Sequence, residues 1–194
     1  MESSVETRPV VVYDANVLYP AHLRDLLMRL AVGDLVQAHW SGQIHKEWMR
    51  NVHADYPDIT WEDLEYTRSE MDRALPDARM HGHHSLTEDL TLPDPDDRHV
   101  LAAAIHAGAD YIVTFNLSDF PEARLDPHGL EATGPDQLAS ILVDRVPEQV
   151  LETAARHRAS LRKPPLSPDE YLQALRNGGL EETADWLGAR REDL

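Results

Sequence analysis

Four acidic side chains stand where a protein could do chemistry. Asp14 directly follows the β-branched run Val10-Val11-Val12-Tyr13. Asp97 opens a stretch in which Val100, Leu101, Ala104 and Ile105 recur at helical spacing. Asp119 lies shortly after the apolar run Tyr111-Ile112-Val113-Thr114. Glu47 falls on a helix face beside Ile44 and Trp48, where it can point inward. Carboxylates that converge repel one another unless a cation sits among them. Hard oxygen ligands of this kind suit Mg²⁺ or Mn²⁺. Such a centre activates water and steadies the leaving oxygen of a phosphodiester.

Each acid also has a plainer role open to it. Asp97 or its neighbour Asp96 could cap the helix that follows. Asp119 could be a turn residue before Phe120-Pro121. Glu47 could be an exposed helix acid paired with Arg50 or Asn51. Asp14 is the exception, because an aspartate directly after a buried β-branched strand marks a site more often than a solvated surface.

The elements that must position these acids follow from the pattern. Val10–Tyr13 is read as a buried strand, and Tyr111–Thr114 as another. Leu18, Leu23, Leu26, Leu27, Leu30 and Ala31 mark a helix up to Gly33, with Pro20 interrupting its start. Leu35 to Trp40 is a candidate short strand. Ser41 is a candidate N-cap for a helix through Ile44, Trp48 and Val52, and Thr60 with Asp63 forms a capping box for the next. The stretch from Asp77 to Leu92 is expected to be irregular, and Leu117 to Pro121 to be a loop. A helix runs from Asp97 to Gly108. This order of strands and helices is that of an α/β domain with a parallel sheet, whose sites form beyond the C-terminal strand ends.

Beyond it the chain is read as helical. Pro135-Asp136 and Pro147 open two helices, and Lys163-Pro164-Pro165-Leu166 separates them from a third. That third helix starts with the cap and box residues Ser167-Pro168-Asp169-Glu170 and ends at Gly178-Gly179, before a last short helix to Leu187. The organisation expected is a tail over residues 1–8, an α/β domain over 9–145 and an all-α extension over 146–194.

The chain of 194 residues carries 35 acidic and 18 basic side chains, for a net charge of −17. Residues 1–145 hold 26 acids and 11 bases, whereas residues 146–194 hold 9 and 7. At long range such a charge repels nucleic acid, which normally meets a basic patch. The absence of cysteine rules out a disulfide framework, a Cys-ligated zinc site and thiol catalysis. No apolar run reaches membrane-spanning length, and the polar start lacks the features of a signal peptide. A cytoplasmic protein without a membrane partner is therefore expected. The tract His81-Gly82-His83-His84 could bind a transition metal, but its polar setting reads as a solvated loop, and His45 reads as a helix-surface residue.

Taken in order, four segments carry a family resemblance. They are Val11 to Leu18, Glu47, Asp94-Pro95-Asp96-Asp97-Arg98-His99 with the following Val100 to Ala104, and Ile112 to Phe120. The set resembles a PIN domain of the kind found in VapC-type toxins of bacterial toxin–antitoxin pairs. The resemblance implies a three-layer α/β/α sandwich around a central parallel sheet, with metal-dependent endoribonuclease activity. It implies that Asp14, Asp97 and Asp119 are ligands of Mg²⁺ or Mn²⁺, with Glu47 as the further catalytic acid. Asn16, Thr114, Asn116 and Asp96 match supporting positions. Many relatives carry an aspartate where this chain has Asn116, which would weaken a second metal.

The partners implied are an RNA substrate and a small cognate antitoxin that enters the acidic groove. Dimers are usual among such proteins, so a homodimer is among the expected states. The products implied are a 5′-phosphate and a 3′-hydroxyl. Two other acidic α/β phosphate enzymes fail on residues. A dehalogenase-like phosphatase needs a second aspartate where Asn16 stands, and a receiver domain needs a lysine after a late strand. The alternative function is a non-catalytic PIN-like module that binds RNA or protein.

Overall fold

Val10–Tyr13 forms β1, and Val11, Val12 and Tyr13 are wholly buried. A strand buried on both faces needs an unbroken apolar run rather than alternation. In the computed structural model, which describes residues 8–194, β1 is the middle strand of a five-stranded sheet. The tail expected over residues 1–8 lies outside the described residues but for Arg8.

After β1 the chain makes one helical turn, α1 (Ala15–Leu18), and then α2 (Ala21–Val32). Pro20 separates them and occupies the N-cap position of α2, where its fixed φ and missing N–H do no harm. β2 (Gln37–Ser41) leads directly into α3 (Gly42–Asp55), and Ser41 caps α3 by accepting from the Ile44 N–H at 3.1 Å. α4 (Trp61–Ala74) begins at the capping box of Thr60 and Asp63.

The stretch from Asp77 to Leu92 is more ordered than its composition suggests. It contains β3 (Arg79–Met80) and a 3₁₀ segment over His83–Asp89 that packs against the next helix. β3 escapes detection because two residues carry no periodicity; its pairing to β2 defines it. His83 is likewise buried rather than solvated. α5 (Arg98–Ala107) then packs across β1, β2 and β4. Its Ala102, Ala103 and Ala104 are fully buried, and such small side chains let a helix approach a sheet closely. α5 ends at Gly108, whose φ of 60° lies in the left-handed region that only glycine enters freely.

β4 (Tyr111–Val113) pairs with β1, and a 3₁₀ turn over Leu117–Asp119 occupies the expected loop. α6 (Glu122–Leu125) and a further strand, β5 (Glu131–Thr133), follow. β5 is the second strand that the sequence conceals. Glu-Ala-Thr has no strand pattern, and β5 lies at the sheet edge, paired only to β4. The strand order is β3-β2-β1-β4-β5, and every pairing is parallel. The order reverses direction between β1 and β4. A crevice at the strand C-termini is expected at that switch point.

The remainder is helical: α7 (Pro135–Arg145), α8 (Pro147–Ser160), α9 (Pro168–Asn177) and α10 (Glu181–Gly188). α8 packs on α2, and α10 packs on α7 and α9. One apolar cluster runs from the sheet through Val150 and Ala154 to Tyr171, Leu180 and Leu187. The buried His157 Nδ1 lies 2.9 Å from the Tyr171 hydroxyl and joins α8 to α9. α10 has no cap of its own. Asp136 of α7 accepts instead from the N–H groups of Glu182 (2.8 Å) and Thr183 (2.9 Å) and from the Thr183 hydroxyl. Among the described residues no helix is long and apolar enough to cross a membrane.

Candidate active site

The pairing of Tyr13 with Val113 brings the ends of β1 and β4 together. The next residues, Asp14 and Thr114, therefore meet across the switch point. The Thr114 hydroxyl donates to Asp14 Oδ2 at 2.7 Å. Asn16 Nδ2 donates to the same oxygen at 2.7 Å and to Thr114 Oγ1 at 2.9 Å. The Ala15 N–H donates to Asp14 Oδ1 at 2.6 Å. Asn16 Oδ1 accepts from the Phe115 N–H, and Thr114 Oγ1 accepts from the Asn116 N–H. Asp14 is buried, and burial pushes its carboxyl up. The bonds from Thr114 and Ala15 oppose that, the charge of Glu47 adds to it, and His99 opposes it.

Above this network opens a cavity of about 760 Å³. Glu47, Asp96, Asp97, Asn116 and Asp119 line it, while Asp14 and Thr114 lie buried. Asp97 carries the electrostatic burden. Its carboxyl is pushed up to about 7, first by burial and then by the charges of Asp14, Asp94, Asp119 and Glu47. The four acids singled out from sequence thus act on one another here.

Asp119 does sit in a 3₁₀ turn before Phe120-Pro121, whereas Asp97 and Glu47 do not take up their plainer roles. Asp97 makes no capping bond to α5; Asp94 is the capping residue of this segment, accepting from the Asp96 N–H at 2.8 Å. Glu47 faces His99 of α5 rather than Arg50, with Oε2 at 3.3 Å from Nε2. His99 lines the cavity from a buried position.

Sequence reasoning missed His99 and Asp94. The signal for His99 was a histidine inside an otherwise apolar, alanine-rich helix two residues past Asp97. His45 is a further correction. It is 1% exposed, accepts from Trp48 Nε1 through Nδ1 at 3.0 Å, and meets Asp72 Oδ1 through Nε2 at 3.1 Å. A core network holds it, because a ring flanked by Trp40 and Trp48 gains more from burial than from solvent.

The donors suit a divalent cation. A carboxylate offers about four lone-pair sites. Asp14 uses three on Ala15, Asn16 and Thr114, which leaves one directed elsewhere. The crowding that raises Asp97 is what a positive ion would relieve. Among the described residues, no three acidic or histidine side chains close into a ready cage. Mg²⁺ does not require one, since it keeps several waters and takes one or two carboxylates together with substrate phosphates.

The same residues match known proteins. The model of the PIN domain family matches residues 10–118, which span every strand but β5. The chain belongs to the PIN-domain family. Residues 135–189 match the model of the VapC50 C-terminal domain, so the PIN domain is followed by a second recognised segment. A protein of Mycobacterium tuberculosis (strain ATCC 25618 / H37Rv) named "Putative ribonuclease VapC50" is 37% identical over 79 residues, 41% of this chain. Those residues cover 47% of the relative, so the match spans about half its length. Together these mark the PIN domain as VapC-type. No solved structure matches the chain.

The C-terminal helices reach the loop that carries Asp119. Phe115, at the start of that loop, lies against the turn between α9 and α10. A Cβ placed on Gly179, whose φ is +80°, would stand 3.3 Å from the Phe115 ring.

Proposed function

We propose that the protein is a metal-dependent endoribonuclease and the toxin of a toxin–antitoxin pair. The observation that carries this reading is the gathering of Asp14, Glu47, Asp97 and Asp119 at the switch point, where burial first and then the charges of Asp14, Asp94, Asp119 and Glu47 push Asp97 up to about 7. A fold gains nothing structural from such a cluster, whereas phosphodiester hydrolysis gains a cation site. The matched family and the ribonuclease named above support the substrate class.

Asp14, Asp97 and Asp119 would hold Mg²⁺ or Mn²⁺, which would polarise a phosphodiester oxygen and favour attack by water. Asn16 and Thr114 fix the Asp14 carboxylate in one orientation before any ligand arrives. Glu47, half-exposed beside His99, would take the proton of the attacking water. The new bond joins water oxygen to phosphorus and the bond to the 3′ oxygen breaks, so a 5′-phosphate and a 3′-hydroxyl result. The division into a catalytic unit over 9–145 and an extension over 146–194 belongs to the same proposal, as do the antitoxin partner and a homodimer.

The test is RNA cleavage by the wild type beside Asp14→Asn and Asp97→Asn, with Mg²⁺, Mn²⁺ or EDTA. Cleavage should require the metal and fall at least about 100-fold in both variants. Equal cleavage in EDTA, or in both variants, overturns the mechanism. The toxin reading is tested separately by co-purification with the product of the neighbouring gene at low salt, where the absence of a complex counts against it.

A further inference from the structure

The cavity that holds the carboxylates has a second wall, built by one face of α3 and by Trp61 and Glu65 of α4, with Glu65 paired to Arg68. Gln43, Lys46 and Arg50 recur along α3 at three- and four-residue spacing and line that wall. Lys46 and Arg50 are exposed and take part in no ion pair among the described residues. Arg68 and Arg79, by contrast, are both committed to Asp72. In a chain of net charge −17, Lys46 and Arg50 are two uncommitted cations beside the acidic centre.

Trp61 completes the wall. Its side chain is 44% exposed, although a tryptophan gains by being covered. The exposure is not looseness. Trp61 is the first residue of α4 and lies within the Thr60–Asp63 capping box. Its ring meets His53 edge to face, with centroids 6.2 Å apart at 80°, and His53 Nδ1 is held 2.9 Å from the Ile59 carbonyl. An aromatic face mounted this rigidly loses little freedom when a flat partner covers it.

We infer that this wall is the substrate grip for single-stranded RNA: Lys46 and Arg50 take backbone phosphates beside the scissile one, and a base stacks on Trp61. The inference rests on the nuclease reading and assigns it substrate-binding residues. Paired bases are already stacked, so an indole platform selects unpaired RNA. Lys46 also lines an adjoining cavity of about 650 Å³ with Arg79 and His81, which extends the path past the carboxylates. A protein segment would satisfy the cations through acidic side chains, but those would face the repulsion of the carboxylates without the compensation of stacking.

The test measures binding of a fluorescein-labelled single-stranded RNA oligonucleotide of mixed sequence with Mg²⁺ present. The Asp97→Asn background stops cleavage. Trp61→Ala should raise Kd about 5- to 100-fold, and Trp61→Phe should restore most of the loss. Lys46→Gln and Arg50→Gln should each reduce the slope of log K against log salt by about 0.7. Tyr66→Ala, which removes a 66%-exposed aromatic outside the cavity, should change neither. With Asp97 intact, Trp61→Ala should raise KM far more than it lowers kcat. A wild type that cleaves RNA while Trp61→Ala binds and cleaves as before overturns the grip and leaves the nuclease standing. That outcome would return the wall to a protein contact. A wild type that neither binds nor cleaves RNA overturns both.

Discussion

Asp97 is the side chain in which the acidity of the protein becomes a local constraint. Its carboxyl stands at about 7, against an ordinary value of 3.8. A carboxyl raised on folding favours the native state while it stays protonated. That contribution is complete below the unfolded value and is lost as pH rises through the folded one. In EDTA, the melting temperature should therefore fall from about pH 4 to about pH 7. Asp97→Asn should flatten the fall, and Mg²⁺ or Mn²⁺ should remove it in the wild type. Parallel melting curves for wild type and variant across that range would show that the cluster carries no such strain. The residues behind this behaviour were legible, because Asp14, Asp97 and Asp119 occupy positions that strand ends and helix starts define. Their buried partners were less so. His45 looks like a surface residue until the face turned to the two tryptophans is known, and His99 gains a role only once α5 is seen to bring it to Glu47. Lys46, Arg50 and Trp61 stand out only once α3 is seen to front the cavity.

Elements divide by how much local chemistry specifies them. Ser41, Thr60 and Ser167 announce their helices, and each side chain makes the capping bond its position suggests. β1 and β4 are spelled in β-branched and aromatic residues. β3 and β5 are not spelled at all, since pairing to a neighbour already formed makes them strands. α10 is the helical counterpart. Its start lacks a local cap and depends on Asp136, 46 residues earlier than Glu182. No scan along the sequence would connect the two, and Asp136 reads there only as the opening of its own helix. Removing the carboxylate leaves the N–H groups of Glu182 and Thr183 without their partner. Asp136→Ala should cost about 1–3 kcal/mol. Chemical denaturation would show it as a lower midpoint, with loss of protection at residues 181–183 in hydrogen exchange. Unchanged exchange there would place the cap's role elsewhere.

At the scale of the molecule, the charge and the core pull in different directions. The acids gather in residues 1–145, and thirteen lie between Asp55 and Asp97. The apolar cluster ignores that division and continues from the sheet into α8, α9 and α10. Helices that share a core with the sheet should not unfold alone. Calorimetry should thus show one transition for the whole chain, with the calorimetric and van't Hoff enthalpies equal. Its midpoint should rise with added NaCl as the acidic surface is screened. Two separated transitions would mean that the extension folds by itself. The sheet and its helices could be inferred from pattern, but this sharing could not, because it depends on which face α2 presents to α8.

The contact between Phe115 and Gly179 has a consequence for how the molecule is made. Synthesis runs from the N-terminus, so all four acids and the loop bearing Asp119 exist well before Gly179 does. Until the turn between α9 and α10 arrives, the Phe115 ring lacks that neighbour. This neighbour of the Phe115 ring is thus among the last parts of the chain to be added. A chain cut short by even its final two helices would carry every one of these acids and still lack the turn that stands beside the Phe115 ring.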